Sequence, residues 1–107
     1  MAVPTLSEGD RLAALGKARQ ARHMVAETKQ ALRDGFTSID KVLETENIYV
    51  RRMKVLDVLV AGIAGVGKTR ARKLLEEASV KDWRRISGLT FGQRSRIYAV
   101  LAEHGWI

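Results

Sequence analysis

Residues 62 to 69 read Gly62-Ile63-Ala64-Gly65-Val66-Gly67-Lys68-Thr69. The spacing satisfies the phosphate-binding pattern of a nucleotide P-loop, two glycines separated by four residues and followed by lysine and a hydroxyl residue. The same string contains Gly65-Val66-Gly67-Lys68, the G-x-G-K/R turn that joins the two helices of a helix–hairpin–helix and grips nucleic-acid phosphates. Both devices rest on one physical idea. Glycines let backbone N–H groups face a phosphate at a helix N-terminus, and a lysine adds charge. The ligand differs, so the elements around the string must decide between them.

A P-loop enzyme sets its glycines after a strand of a parallel sheet covered on both faces, and takes a magnesium-binding Asp from a second strand. This chain has 107 residues, enough for one small domain with a modest core. After Lys68 the acids are Glu76, Glu77, Asp82 and Glu103, and none follows an apolar run of strand length. Ahead of the glycines, Leu56, Leu59, Val60 and Ile63 fall at i, i+3, i+4 and i+7, the stripe of a helix. With no other strand candidate in the chain, the expected fold class is all-α, and the expected device is a turn between helices. No nucleotide hydrolysis, catalytic residue, cofactor or metal site is expected.

Charge points to the ligand. The formal net charge is +7, which suits a polyanionic partner. Residues 1–50 carry seven basic and seven acidic side chains, whereas residues 51–107 carry twelve and five. The whole excess therefore lies in the half that holds the glycine turn. Cysteine is absent, which excludes disulfide scaffolds and thiolate metal sites. His23 and His104 stand far apart without supporting ligands. The longest run of apolar residues and glycine, Val58 to Gly67, is ten residues long, too short to span a bilayer. No basic and apolar leader opens the chain. An intracellular protein with no membrane contact is expected.

Along the chain, residues 1–6 with Pro4 are expected to be loose. Ser7 and Asp10 have capping-box spacing and open a long alanine-rich helix to Asp34. Its apolar stripe, Ala14, Ala18, Ala21, Val25 and Leu32 with Thr28 interrupting, is narrow. A helix that buries so little reads as a partly detached arm, residues 1–35, ended by Gly35. The remaining residues, 36–107, form the binding domain. A second helix starts at Thr37-Ser38-Ile39-Asp40 and breaks by Thr45 to Asn47. A third spans about Tyr49 to Val60. A fourth starts at Val66 or Gly67 and runs to Ala78, with Ala71, Leu74, Leu75 and Ala78 as its apolar face. Ser79 to Ser87 connects it to a last helix, opened by the capping box Thr90-Phe91-Gly92-Gln93 and closed by Gly105. Ile97, Val100, Leu101 and His104 are expected to face inward, and both Trp83 and Trp106 to pack at the core or its boundary.

In order, these features are an N-terminal arm, Met53-Lys54-Val55, Gly65-Val66-Gly67-Lys68, then Arg84-Arg85 ahead of Gly88-Leu89. The set resembles the actinobacterial-type integration host factors, beginning at Met1-Ala2-Val3-Pro4 and including Arg11, Ala14-Leu15 and Lys17-Ala18 of the arm. The family implies a small helical domain with a helix–two-turn–helix, like that of the ribosomal small-subunit head protein. It is unrelated in fold to the heterodimeric β-arm factors of the same name. It also implies a nucleoid-associated architectural protein; a cytoplasmic location and a monomer in solution are expected beside it. Such a protein binds double-stranded DNA with little sequence preference, bends and compacts it, and joins phage integrase complexes. Carried over by position, the DNA contacts are Gly65, Val66, Gly67, Lys68, Arg84 and Arg85. The clustered charge adds Thr69, Arg70, Arg72, Lys73 and Arg94. Members usually have proline where this chain has Ala64. They also often have a third basic residue where this chain has Ser87, so that contact is missing or supplied by Arg94 or Arg96.

Competing readings attach to these residues. The glycines can serve as a tight connection alone, and Arg84-Arg85 can be a solvated pair beside Asp82. Arg72 and Lys73 can pair with Glu76 or Glu77 one turn on. Arg19, Arg22 and Arg33 of the arm can form a second, weaker DNA face. An RNA- or ribosome-binding module on the same fold is the principal alternative. With six aromatic residues, most of them needed for packing, duplex backbone binding is favoured over a base-stacking surface.

Overall fold

The computed structural model describes residues 8–107. The Ser7 capping box and the residues before it, Pro4 included, lie outside the described residues. Five helices follow in order: α1 Glu8–Asp34, α2 Ile39–Leu43, α3 Val55–Gly62, α4 Lys68–Glu77 and α5 Phe91–Glu103. Two single 3-10 turns, Val50–Arg52 and Ile86–Gly88, complete the set. Among the described residues the only β pairing is an isolated antiparallel bridge between Lys54 and Arg85. The all-α expectation holds.

The core is aliphatic. Leu43, Leu59, Leu75, Ile86, Ile97 and Leu101 are its largest fully buried side chains, and Met53 is its one non-aliphatic member. No aromatic side chain among the described residues is buried: Tyr49, Tyr98 and Trp106 are half-buried, and Phe36, Trp83 and Phe91 are exposed. Tyr98 and Trp106 pack against the edge of the core, as expected for Trp106, but Phe36, Phe91 and Trp83 do not, and Trp83 is a surface residue. His104 also leaves the inward face of α5. It is exposed and meets Glu77 at 3.1 Å.

Helix α1 overshoots the body it packs on. At 27 residues it is roughly 40 Å long, and the molecule extends 58 × 31 × 24 Å. Ala18, Ala21, Val25 and Thr28 are half-buried and Leu32 is buried, while Ala14, Leu12 and Leu15 stand in solvent. The stripe is thus used only along the C-terminal half. Thr28 does not interrupt it, because its hydroxyl donates to the Met24 carbonyl one turn back at 2.8 Å, which satisfies the polar atom locally.

Helix ends follow one rule. Gly35 and Gly105 take positive φ, +77° and +78°. The next N–H then reaches back to the last turn, Phe36 to Ala31 and Trp106 to Leu101, both at 2.9 Å. Helix α4 ends the same way on a non-glycine residue, Ser79 at φ 57°, with Val80 N–H on the Leu75 carbonyl at 2.9 Å. The Thr90/Gln93 capping box is fully formed. At α2, by contrast, Ser38 caps without a side-chain bond. Its hydroxyl donates instead to Asp40, which holds that carboxyl below its usual range.

The expected third helix, Tyr49 to Val60, divides in two. Asn47 Oδ1 accepts from Tyr49 and Val50 N–H at 3.0 and 3.1 Å, starting a 3-10 turn. Met53 and Lys54 then extend, at φ/ψ −65°/145° and −71°/140°. They do so because a distant segment pairs with them. Val55 N–H donates to the Arg84 carbonyl and Ile86 N–H to the Met53 carbonyl, each at 3.0 Å. Helix α3 therefore starts only at Val55, and it runs two residues past Val60 to Gly62.

Candidate nucleic-acid interface

Helix α3 closes at Gly62, where any side chain would collide. A Cβ there would lie 2.6 Å from Ile39 Cγ1 and 3.5 Å from Leu32 Cδ2. The turn that follows is pinned from inside. Ile63 and Val66 are both buried, and Val66 N–H donates to the Ile63 carbonyl at 3.2 Å. Val66 thus anchors the turn with its side chain and spends its own N–H internally. Gly65 takes φ +80°, a conformation L side chains rarely adopt, and so sets the reversal.

Gly67 has a different job. Its φ/ψ of −91°/−177° is ordinary extended backbone, and a Cβ there would meet nothing within 4 Å. Gly67 therefore does not need a glycine-only conformation; that requirement belongs to Gly65. Gly67 is the N-cap of α4, and no side chain caps this end. The N–H groups of Lys68, Thr69 and Arg70 open the helix, where intrahelical acceptors are lacking. They sit on an exposed surface with Gly67 and Lys68. The partial positive charge of a helix start adds to that of Lys68. This arrangement is suited to an anion with several oxygens. Helices flank it on both sides, so the strand–loop–helix frame of a nucleotide P-loop is not present.

Lys68, Thr69, Arg70, Arg72 and Lys73 are all exposed on α4. Arg70 lies over the Trp106 ring at 5.3 Å, and Trp106 stacks on His104 at 4.9 Å. Arg72 pairs with Asp82 at 3.3 Å, rather than with Glu76 or Glu77. That ion pair ties α4 to the connector carrying Trp83, Arg84 and Arg85. Arg85 is exposed and donates to the Arg52 carbonyl at 2.7 Å. Arg84 is half-buried, its guanidinium 4.7 Å from the centre of the Trp83 ring.

Arg94 is half-buried on α5 beside Tyr98. Burial pushes the Tyr98 hydroxyl up to about 12, Glu44 and Asp40 add to the rise, and Arg94 opposes it. Arg94 Nε is buried and makes no hydrogen bond within the protein. Arg96 donates from Nε to the Ala78 carbonyl at 2.8 Å, at the end of α4 opposite Lys68. It serves there as a helix cap.

Five further cations belong to the arrangement and were not singled out together from sequence. Arg22, Lys29 and Arg33 of α1 face Arg52, Lys54 and Arg85 across one groove, with Asp57 as its single acid. Ala21, Val25, Ala26 and Met53 form its apolar lining. The available signal was Arg51-Arg52-Met53-Lys54, three cations in four residues. Arg22 and Arg33 of the arm stand at the three- and four-residue spacings that share a helix face with Lys29 and Ala26.

The chain is similar to known proteins in sequence and in fold. Residues 32–101 match the family model of the S13-like H2TH domain. An integration host factor of Streptomyces coelicolor is 38% identical over 95 residues, spanning 87% of this chain and 88% of that protein. Integration host factors of Mycolicibacterium smegmatis and Mycobacterium tuberculosis are 37% and 36% identical over 100 residues, spanning 91% of this chain and 93% of each. A solved structure of sIHF bound to an 8-bp palindromic DNA superposes with a TM-score of 0.73 at 32% identity, over 78% of this chain and 96% of that one.

Proposed function

The chain belongs to the actinobacterial-type integration host factors, and from that membership we propose that it is an architectural DNA-binding protein. It holds duplex DNA by its phosphates, with little sequence preference. The observation that carries this reading is the start of α4, which no side chain caps, with Gly67 and Lys68 exposed there and Arg84 and Arg85 tied alongside through Asp82 and Arg72. Contacts of this kind fix a protein on a duplex without reading bases. The excess positive charge of residues 51–107 supplies the steering field.

In this reading residues 36–107 are the binding domain and residues 1–35 an arm. The groove cations on α1 give the arm a share of the phosphate contacts. Bending and compaction of DNA, residence in the nucleoid and a place in phage integrase complexes are what family membership implies, and a monomeric state in solution is part of the same proposal. In this reading the protein is a non-enzymatic binder, and the turn, set between two helices, does not hydrolyse nucleotide, which needs a sheet and a magnesium carboxylate.

Electrophoretic mobility shift with labelled duplex DNA tests the proposal, using unlabelled duplex DNA, duplex RNA and ATP as competitors. Duplex DNA should compete best and ATP not at all. Duplex RNA competing more strongly than DNA would move the function to the RNA- or ribosome-binding alternative. Turnover of ATP that is lost in Lys68→Ala would contradict the non-enzymatic reading.

A further inference from the structure

Trp83 is 57% exposed, although an indole is among the side chains that gain most from burial. It is not on a loose loop. Arg84 N–H donates to the Lys81 carbonyl at 3.1 Å, and the next residues pair with Met53 and Val55. Asp82, just before it, is held by Arg72. The ring is therefore displayed from a segment fixed at both ends, so little further order is lost when something packs on it.

Its neighbours indicate what that something is. The Arg84 guanidinium lies over one face at 4.7 Å. Arg84 Nε is buried and makes no hydrogen bond within the protein. The aliphatic stem of Arg84 runs close to Gly88, where a Cβ would lie 3.2 Å from Arg84 Cδ. Packing on the ring and beside Gly88, rather than an acidic partner, sets the position of this cation. Arg85 follows directly and is exposed. An aromatic ring with one cation fixed against it, and a second cation held one residue further on by the Arg52 carbonyl, matches the two chemical parts of a nucleotide, a flat base and a phosphate. The other exposed aromatics, Phe36 and Phe91, have no adjacent arginine in the sequence.

Resting on the duplex-binding reading above, we propose that Trp83 stacks on a single unpaired base at a discontinuity in duplex DNA, with Arg84 and Arg85 on the flanking phosphates. One ring is too little for a strand-long platform, which needs successive stacking residues. It suffices for one base freed at a bulge, nick or sharp kink. The protein would then prefer damaged or distorted duplexes to continuous ones, a selectivity by shape rather than by sequence.

The test compares an intact duplex with the same duplex carrying one bulged nucleotide, using the full chain. The wild type should bind the bulged duplex about ten-fold more tightly, the order expected for one base–aromatic stack. Trp83→Ala should bring the ratio to within two-fold. So should Trp83→Leu, which keeps apolar bulk but has no ring to stack. A 2-aminopurine at the bulge should be quenched by the wild type and not by Trp83→Leu. Equal wild-type affinity for both duplexes overturns the proposal. Retention of the preference in Trp83→Leu overturns it too, since the residue would then act as an apolar wedge. Failure to bind either duplex overturns the functional reading itself, whereas tight binding without a bulge preference leaves that reading standing and removes this one.

Discussion

The glycine turn and the Trp83–Ile86 connector are both cationic surfaces, but they are built in opposite ways. At the turn, side chains do the anchoring: Ile63 and Val66 are buried. The backbone after Val66, from Gly67 to Arg70, presents the donors. At the connector the backbone anchors, through the Arg84 carbonyl on Val55 N–H and Ile86 N–H on the Met53 carbonyl. There the side chains of Trp83, Arg84 and Arg85 make the surface. A main-chain site tolerates many side chains but not a fixed carboxylate competing for its N–H groups. A side-chain site depends on which side chains it carries and on the pairing that holds them.

Gly67→Glu separates the two most strongly. Gly67 has ordinary backbone angles and free space at its Cβ, and an acid near a helix start suits the helix dipole. The variant should therefore keep its circular dichroism spectrum and melting temperature. Duplex binding should fall by about 2–3 kcal/mol, because a carboxylate competes with phosphate for charge-assisted N–H bonds. A folded Gly67→Glu variant with unchanged affinity would remove the turn from the interface.

Val55→Pro acts on the connector alone. Val55 is the first residue of α3, where proline suits a helix, and Lys54 already has the extended backbone that a residue before proline prefers. The variant deletes the bond from Val55 N–H to the Arg84 carbonyl. It should cost about 1–3 kcal/mol in urea denaturation, from the orphaned carbonyl and altered packing. It should also weaken DNA binding while leaving the glycine turn in place. Unchanged affinity in this variant would mean that the connector's position does not matter.

Arg84→Glu and Arg85→Glu should each cost about 1–2 kcal/mol of binding, on every duplex sequence tested, and lower the salt slope by about one. If these reversals are silent while Arg22→Glu and Arg33→Glu abolish binding, the principal face is the groove on α1. Smallest in effect, Ser79→Gly relieves the left-handed residue that ends α4. It should add about 1 kcal/mol or less to stability and leave DNA binding as it was.

The same contrast governs what could be read from sequence. The turn is local, and its glycines, its lysine and the helical stripe before it lie within about a dozen residues. So are the Thr90/Gln93 capping box and the Gly35 and Gly105 helix ends, all three formed as expected. The pattern named the glycines without saying which one carries positive φ, because spacing does not distinguish a reversal from a cap. The connector is non-local. Residues 53–55 and 84–86 pair across some thirty positions, and nothing in Met53-Lys54-Val55 marks a break in an otherwise helical run. The break at Met53, the Arg72–Asp82 ion pair and the exposure of Trp83 all follow from that pairing. The groove was missed for the same reason. Its cations come from α1 and from residues 52–85, each counted as charge but not placed opposite one another.

Salt dependence of duplex DNA binding tests the central claim most directly. Affinity would be measured by fluorescence anisotropy from about 50 to 200 mM salt, on duplexes of unrelated sequence. If five phosphates are neutralised, log K should fall against log salt with a slope of about −4 to −5, nearly the same for each duplex. A flat salt response, or affinities differing by many orders of magnitude between sequences, would contradict an interface built on phosphate contacts.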